Sequence, residues 1–107
     1  MTKPRIPKPP KMNGDERAYA EMLELRKRAG DILDWKFNGI RFDLGGGAWY
    51  KPDFYVVRHD RFEIVEVKGF KREAAVVRFK AAAALFPHYH WTMIRRRGPQ
   101  WERLYEL

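Results

Sequence analysis

The chain has 107 residues, 45% of them hydrophobic, enough for one domain with a core but with a small stability margin. Its 22 Lys and Arg against 14 Asp and Glu leave a net charge of +8, which favours a polyanionic partner, nucleic acid ahead of an anionic membrane surface. It has no cysteine, so disulfides and thiolate metal sites are excluded, and no apolar run approaches the ~20 residues of a membrane span.

Residues 1–12 contain Lys3, Arg5, Lys8 and Lys11, four prolines and no acid. They are expected to form a flexible basic tail of polyproline II type ahead of a domain over 13–107. No apolar stretch follows the basic residues, so the segment does not read as a signal peptide and a cytoplasmic protein is expected. "NGDERAYAEMLELRKRAG" predicts the first helix. Asn13 or Asp15 can cap it, acids come early, bases come late, and Gly30 stops it. Tyr19, Met22 and Leu23 make its inward stripe. Glu16 lies beside that stripe, whereas Glu21 and Glu24 are expected on the opposite side.

Strand-like runs follow. "DWKFNGIRFDL" surrounds an Asn-Gly that suits a tight turn or a bulge. Gly45–Gly46–Gly47 reads as a flexible connector, and not as a phosphate loop, since no Gly-Lys-Ser/Thr follows. "WYKPDFYVV" and "RFEIVEVKG" then form a hairpin around "RHDR". "KREAAVVRFKAAAALF" predicts a second helix with Val76, Phe79, Ala83 and Phe86 on one face and Pro87 at its end. "HYHWTMIRRR" is a further strand, "GP" a turn, and "WERLYEL" a short closing strand or tail. The predicted class is α/β, in the order helix, three strands, helix, one or two strands.

The chemistry sits in the hairpin. Either loop that "RHDR" supports pairs Val57 with Phe62, and the same register puts Asp53 opposite Glu66. Directly opposed residues share a face with Cβ atoms roughly 4.5–5.5 Å apart. Lys68, two residues beyond Glu66, shares that face. Two opposed acids destabilise an ordinary hairpin, and partly buried carboxylates this close resist ionising together. A hard divalent cation removes the conflict. Mg²⁺ takes oxygen ligands, keeps several waters, and is typically held by one or two carboxylates plus substrate phosphate. Lys68 would orient the attacking water or stabilise charge on the phosphoryl oxygens. Glu16 would complete the site as a further ligand or through a bound water.

Pro52–Asp53 followed by Glu66-Val67-Lys68 resembles the PD-(D/E)XK nuclease motif, and the chain order resembles that superfamily's αβββαβ core, a central mixed sheet flanked by helices. The short length and the helix before the strands resemble small phage-type members related to phage endonuclease I-type Holliday-junction resolvases. The resemblance spans about residues 15–96. It implies that Asp53 and Glu66 are metal ligands, that the Val67 carbonyl is a further ligand, that Lys68 is the catalytic lysine and that Glu16 is the first-helix acid. It also implies Mg²⁺-dependent phosphodiester hydrolysis, with Mn²⁺ able to substitute, leaving a 5′-phosphate and a 3′-hydroxyl.

Around this motif Lys71 and Arg72, at the start of the second helix, are expected to meet phosphate, as are Arg78, Lys80 and Lys51. Arg95–Arg97 either extend that basic surface or flank a turn. His88 and His90 read as ordinary strand histidines. Trp35, Trp49, Tyr50, Phe54 and Tyr55 read chiefly as core, with Trp49 and Tyr50 also placed to stack on a distorted base. The resulting expectation is an endonuclease for branched or junction DNA, a homodimer if it makes two symmetric cuts. The competing readings are a monomeric nuclease for flaps, nicks or single strands, and a non-catalytic basic nucleic-acid-binding module.

Overall fold

The computed structural model describes residues 11–69 and 73–107. Its first element, α1 (Gly14–Ala29), is capped as its sequence asks. The Asn13 side chain accepts the Glu16 N–H at 2.8 Å, and Glu16 Oε1 accepts the Asn13 N–H at 2.9 Å, a reciprocal capping box. Gly30, at φ +83°, ends the helix in a left-handed turn that a side chain would resist. Tyr19, Ala20 and Leu23 are buried, with Met22 at the margin of the core. Glu24 departs from expectation. The chain doubles back under the helix as β1 (Asp34–Phe37), and Glu24 Oε1 accepts the Trp35 indole N–H at 3.1 Å.

Five strands separate the helices, where three were expected. β2 (Phe42–Gly45) and β3 (Ala48–Tyr50) form a two-stranded ribbon of their own. The triple glycine is the turn of that ribbon, not a connector. Gly45, Gly46 and Gly47 all adopt positive φ, and Asp43 Oδ1 accepts the Gly45 N–H at 2.8 Å. Pro52, which has no N–H to pair, divides the predicted run, so β3 ends at Tyr50 and β4 (Phe54–Val57) begins at Phe54. β5 (Phe62–Val67), α2 (Glu73–Leu85), β6 (His90–Arg97) and β7 (Gln100–Glu106) complete the chain.

The main sheet runs β1-β4-β5-β6-β7, with β5–β6 parallel and the other pairs antiparallel. The molecule is thus a compact α/β fold with a mixed central sheet and two helices. The β4–β5 register is the predicted one, Phe54 opposite Val65 and Val57 opposite Phe62. Side chains alternate across the sheet. One face carries Phe54, Val56, Val65 and Ile94 against Tyr19 and Leu23 of α1. The other carries Ile64, Trp91 and Met93 against Phe79, Ala82 and Ala83 of α2, with Phe42 and Tyr50 of the ribbon closing that core. Met12 packs against the α1 core, so the domain begins at or before it. The predicted tail otherwise lies outside the described residues. No helix among the described residues is long and apolar enough to cross a membrane.

Candidate functional site

Beyond the last paired residues of β4 and β5, the two strands are joined by their acids. The Val67 N–H donates to Asp53 Oδ2 at 2.8 Å, and the Asp53 N–H donates to Glu66 Oε2 at 3.1 Å. Each carboxylate therefore satisfies a backbone donor of, or next to, the other. The Asp53 carbonyl accepts the Asn38 N–H at 2.8 Å, which ties the same point to the end of β1. These bonds fix both side chains on the α2 side of the sheet. Lys68 follows on the same side, its own N–H bonded to the Ile94 carbonyl at 2.8 Å.

The acids open into a cavity of about 340 Å³. Glu16 and Asn13 line it from the start of α1, Val67, Lys68 and Gly69 from the end of β5, and Ala75 and Val76 from α2. The site predicted from sequence is thus brought together: Asp53, Glu66, Val67, Lys68 and Glu16 share one cavity. Glu16 has a prior task, since its Oε1 closes the capping box.

Sequence reasoning missed Tyr50 as a partner of the site. Its hydroxyl donates to Glu66 Oε2 at 2.8 Å. Burial, and then the Glu66 carboxylate, push the phenol's pKa up, so the proton stays on the tyrosine oxygen. Nothing in the local sequence signals this bond, which depends on the ribbon folding back across the sheet.

The electrostatics are those of acids held under strain of charge. Burial and then the Glu66 carboxylate raise the Asp53 pKa, with Glu16 adding to the effect and the Val67 N–H opposing it. Burial also raises Glu66, against the hydrogen bonds from Tyr50 and the Asp53 N–H. Among the described residues no Lys or Arg forms an ion pair with either acid, and no donor is bonded to Asp53 Oδ1 or Glu66 Oε1.

This donor set suits a hard divalent ion. Among the described residues no three acidic or imidazole side chains already converge on one metal position. Mg²⁺ asks less than that, because one or two carboxylates with waters and a substrate phosphate suffice. Asp53 and Glu66 supply the two, and Glu16 and Val67 line the same cavity.

The predicted phosphate contacts are scattered. Lys71 and Arg72 lie outside the described residues. Arg78 is exposed on α2. Lys80 is exposed on α2, its ammonium 4.5 Å from the Tyr105 ring centroid. Lys51 is exposed beside the ribbon, in a separate cleft with Arg41. Arg96 meets Asp15 at 3.6 Å, and Arg95 and Arg97 both meet Glu102, so this run is engaged in ion pairs at the β6–β7 end. His90 Nε2 lies 3.0 Å from Glu106 Oε1. Comparisons with protein-family models, with curated proteins and with solved structures find no match to this chain.

Proposed function

We propose that this protein is a metal-dependent endonuclease of the PD-(D/E)XK type that hydrolyses phosphodiester bonds in branched or junction DNA in the cytoplasm. One observation carries the reading. Two half-buried acids without a basic partner among the described residues are clasped by each other's strands at the mouth of an open cavity that also holds a lysine. A structural acid pair would be matched with Arg or Lys or left in water. A pair kept apart from cations and poised to bind one suits phosphate chemistry.

In this reading Asp53 and Glu66 hold Mg²⁺ or Mn²⁺, with the Val67 carbonyl and Glu16 as further ligands or partners of its waters. Such an ion, once bound, supplies the charge that acidifies a water and polarises the phosphoryl oxygen. Tyr50 keeps Glu66 Oε2 occupied and so turns the other oxygen to the task. The Asp53–Val67 bond sets the first acid against the strand that carries Lys68. The Lys68 ammonium donates hydrogen bonds to the attacking water or to the phosphoryl oxygens, where negative charge grows in the transition state. A net charge of +8 draws the DNA in. Two symmetric cuts in a four-way junction would call for a homodimer, each copy contributing one such cavity.

The test is a cleavage panel of four-way, flapped, nicked, linear and single-stranded DNA with Mg²⁺ or Mn²⁺. Wild type should cut branched DNA, in paired symmetric incisions on the four-way species. Lys68→Ala should lose about 10²–10³-fold in rate, and Asp53→Asn at least as much, while both still bind. Binding across the whole panel with no cut anywhere would make the protein a basic binding module instead.

A further inference from the structure

The ribbon has an inner and an outer face. Phe42 and Tyr50, paired across it, are buried at 4% and 5% exposure. Asp43 and Trp49, the next pair, face outward, and Trp49 is 46% exposed even with the Arg41 guanidinium stacked 4.3 Å from its ring centroid. The same register, carried one pair further, sets Arg41 across from Lys51. Both line an open cleft of about 280 Å³ with Asn38 and Gly39.

Two like charges across a strand pair cost stability. Here nothing among the described residues offsets them. Arg58, Arg95, Arg96, Arg97 and Arg103 each meet an acid, but Arg41 and Lys51 do not. Asp43, the acid nearest at hand, bonds its own turn through the Gly45 N–H. An indole flanked by two cations that meet no acid among the described residues is a poor seat for an apolar protein partner, and no other large apolar side chain on the ribbon is exposed. It suits a base and its phosphates, because stacking on an aromatic is indifferent to sequence and each cation meets a phosphate.

We propose that the outer face of the β2–β3 ribbon docks DNA that carries an unstacked base: Trp49 stacks on the base, and Arg41 and Lys51 hold the adjacent phosphates. This rests on the nucleic-acid reading above and supplies it with a selector for branch points and flaps, where a base is already free. The ribbon is coupled to the acids by covalent succession. Tyr50, next to Trp49, holds Glu66, and Asp53 lies four residues on, at most ~14 Å of extended chain. A base seated on Trp49 is thereby held within that length of chain of the first acid.

The test is equilibrium binding of the full chain, by fluorescence anisotropy in EDTA, to a four-way junction, a single-base bulge and a continuous duplex. Trp49→Ala should weaken junction and bulge binding by about 5- to 100-fold and leave the duplex within about twofold; Trp49→Tyr should restore most of the loss. Arg41→Ala and Lys51→Ala should weaken all three DNAs alike and each reduce the salt slope by about one. An unchanged ratio of bulge to duplex affinity in Trp49→Ala would overturn the proposal even if wild type cuts DNA. Loss of that ratio in a protein that never cuts would uphold it and sink the nuclease reading. Failure of wild type to bind any of the three would end both.

Discussion

Two glutamates on β5, three residues apart, face opposite sides of the same sheet and show two ways to bury an acid. Glu63, on the α1 side, is 3% exposed and matched on both oxygens. Arg58 Nη2 and Nε reach Oε1 at 2.7 and 2.9 Å, and the Thr92 hydroxyl donates to Oε2 at 2.9 Å. Glu66, on the α2 side, receives Tyr50 and a backbone N–H on one oxygen, has a second acid beside it, and has no cation bonded to it among the described residues. The first arrangement is closed by the protein. The second leaves an oxygen of each acid without a bonded donor among the described residues, where the proposed ion would sit. Similar sequence surroundings, an acid flanked by apolar residues, thus lead to a structural ion pair in one case and a candidate reactive centre in the other. The deciding factor is the partner that the neighbouring strand or ribbon delivers.

The contrast can be broken at either end. The largest effect is expected from Glu63→Ala, which leaves Arg58 without its acid on the buried face. Destabilisation of about 3 kcal/mol should follow, allowing for the partial exposure of Arg58. Glu66→Gln in metal-free protein should be neutral or stabilising, because it removes a charge that the fold does not match. Chemical denaturation of both variants checks this, and equal destabilisation would erase the distinction between the two acids.

A smaller effect separates the sites by pH. Burial raises the folded pKa values of Asp53 and Glu66 to about 8 and about 7, from ordinary values of 3.8 and 4.5. Between about pH 4 and 8 the folded state therefore holds protons that the unfolded state has released. By linkage, their effect is to lower stability as pH rises through that window. Metal-free wild type should lose stability progressively across it, and Asp53→Asn with Glu66→Gln should flatten the slope. Denaturation at a series of pH values in EDTA measures this. A wild-type slope that the double variant leaves intact would place the titrating groups elsewhere.

Much of this was legible in advance for a physical reason. The "RHDR" loop fixes the β4–β5 register, and a period of two carries that register to Asp53, Glu66 and Lys68 without further information. The capping of α1 by Asn13 and Glu16 is equally local, whereas the meeting of Glu16 with the acids follows from packing α1 against the sheet. What escaped were features set by non-local pairing. The triple glycine looks like slack chain until β2 and β3 are known to pair across it, and the ribbon then turns Tyr50 into a site residue and Trp49 into an exposed one. The bond from Trp35 to Glu24 depends likewise on where β1 passes beneath α1. The contact of the Lys80 ammonium with Tyr105 also depends on where the last strand lies.

Titration of Mn²⁺ by calorimetry near pH 7.5, with wild type, Asp53→Asn and Glu66→Gln, tests the central claim most directly. Run in two buffers of different ionisation enthalpy, it should show the ion binding wild type with release of protons, since both acids must ionise to hold it. Each substitution should weaken that binding by at least about tenfold. Identical Mn²⁺ affinity in all three proteins, or none in wild type, would contradict the account.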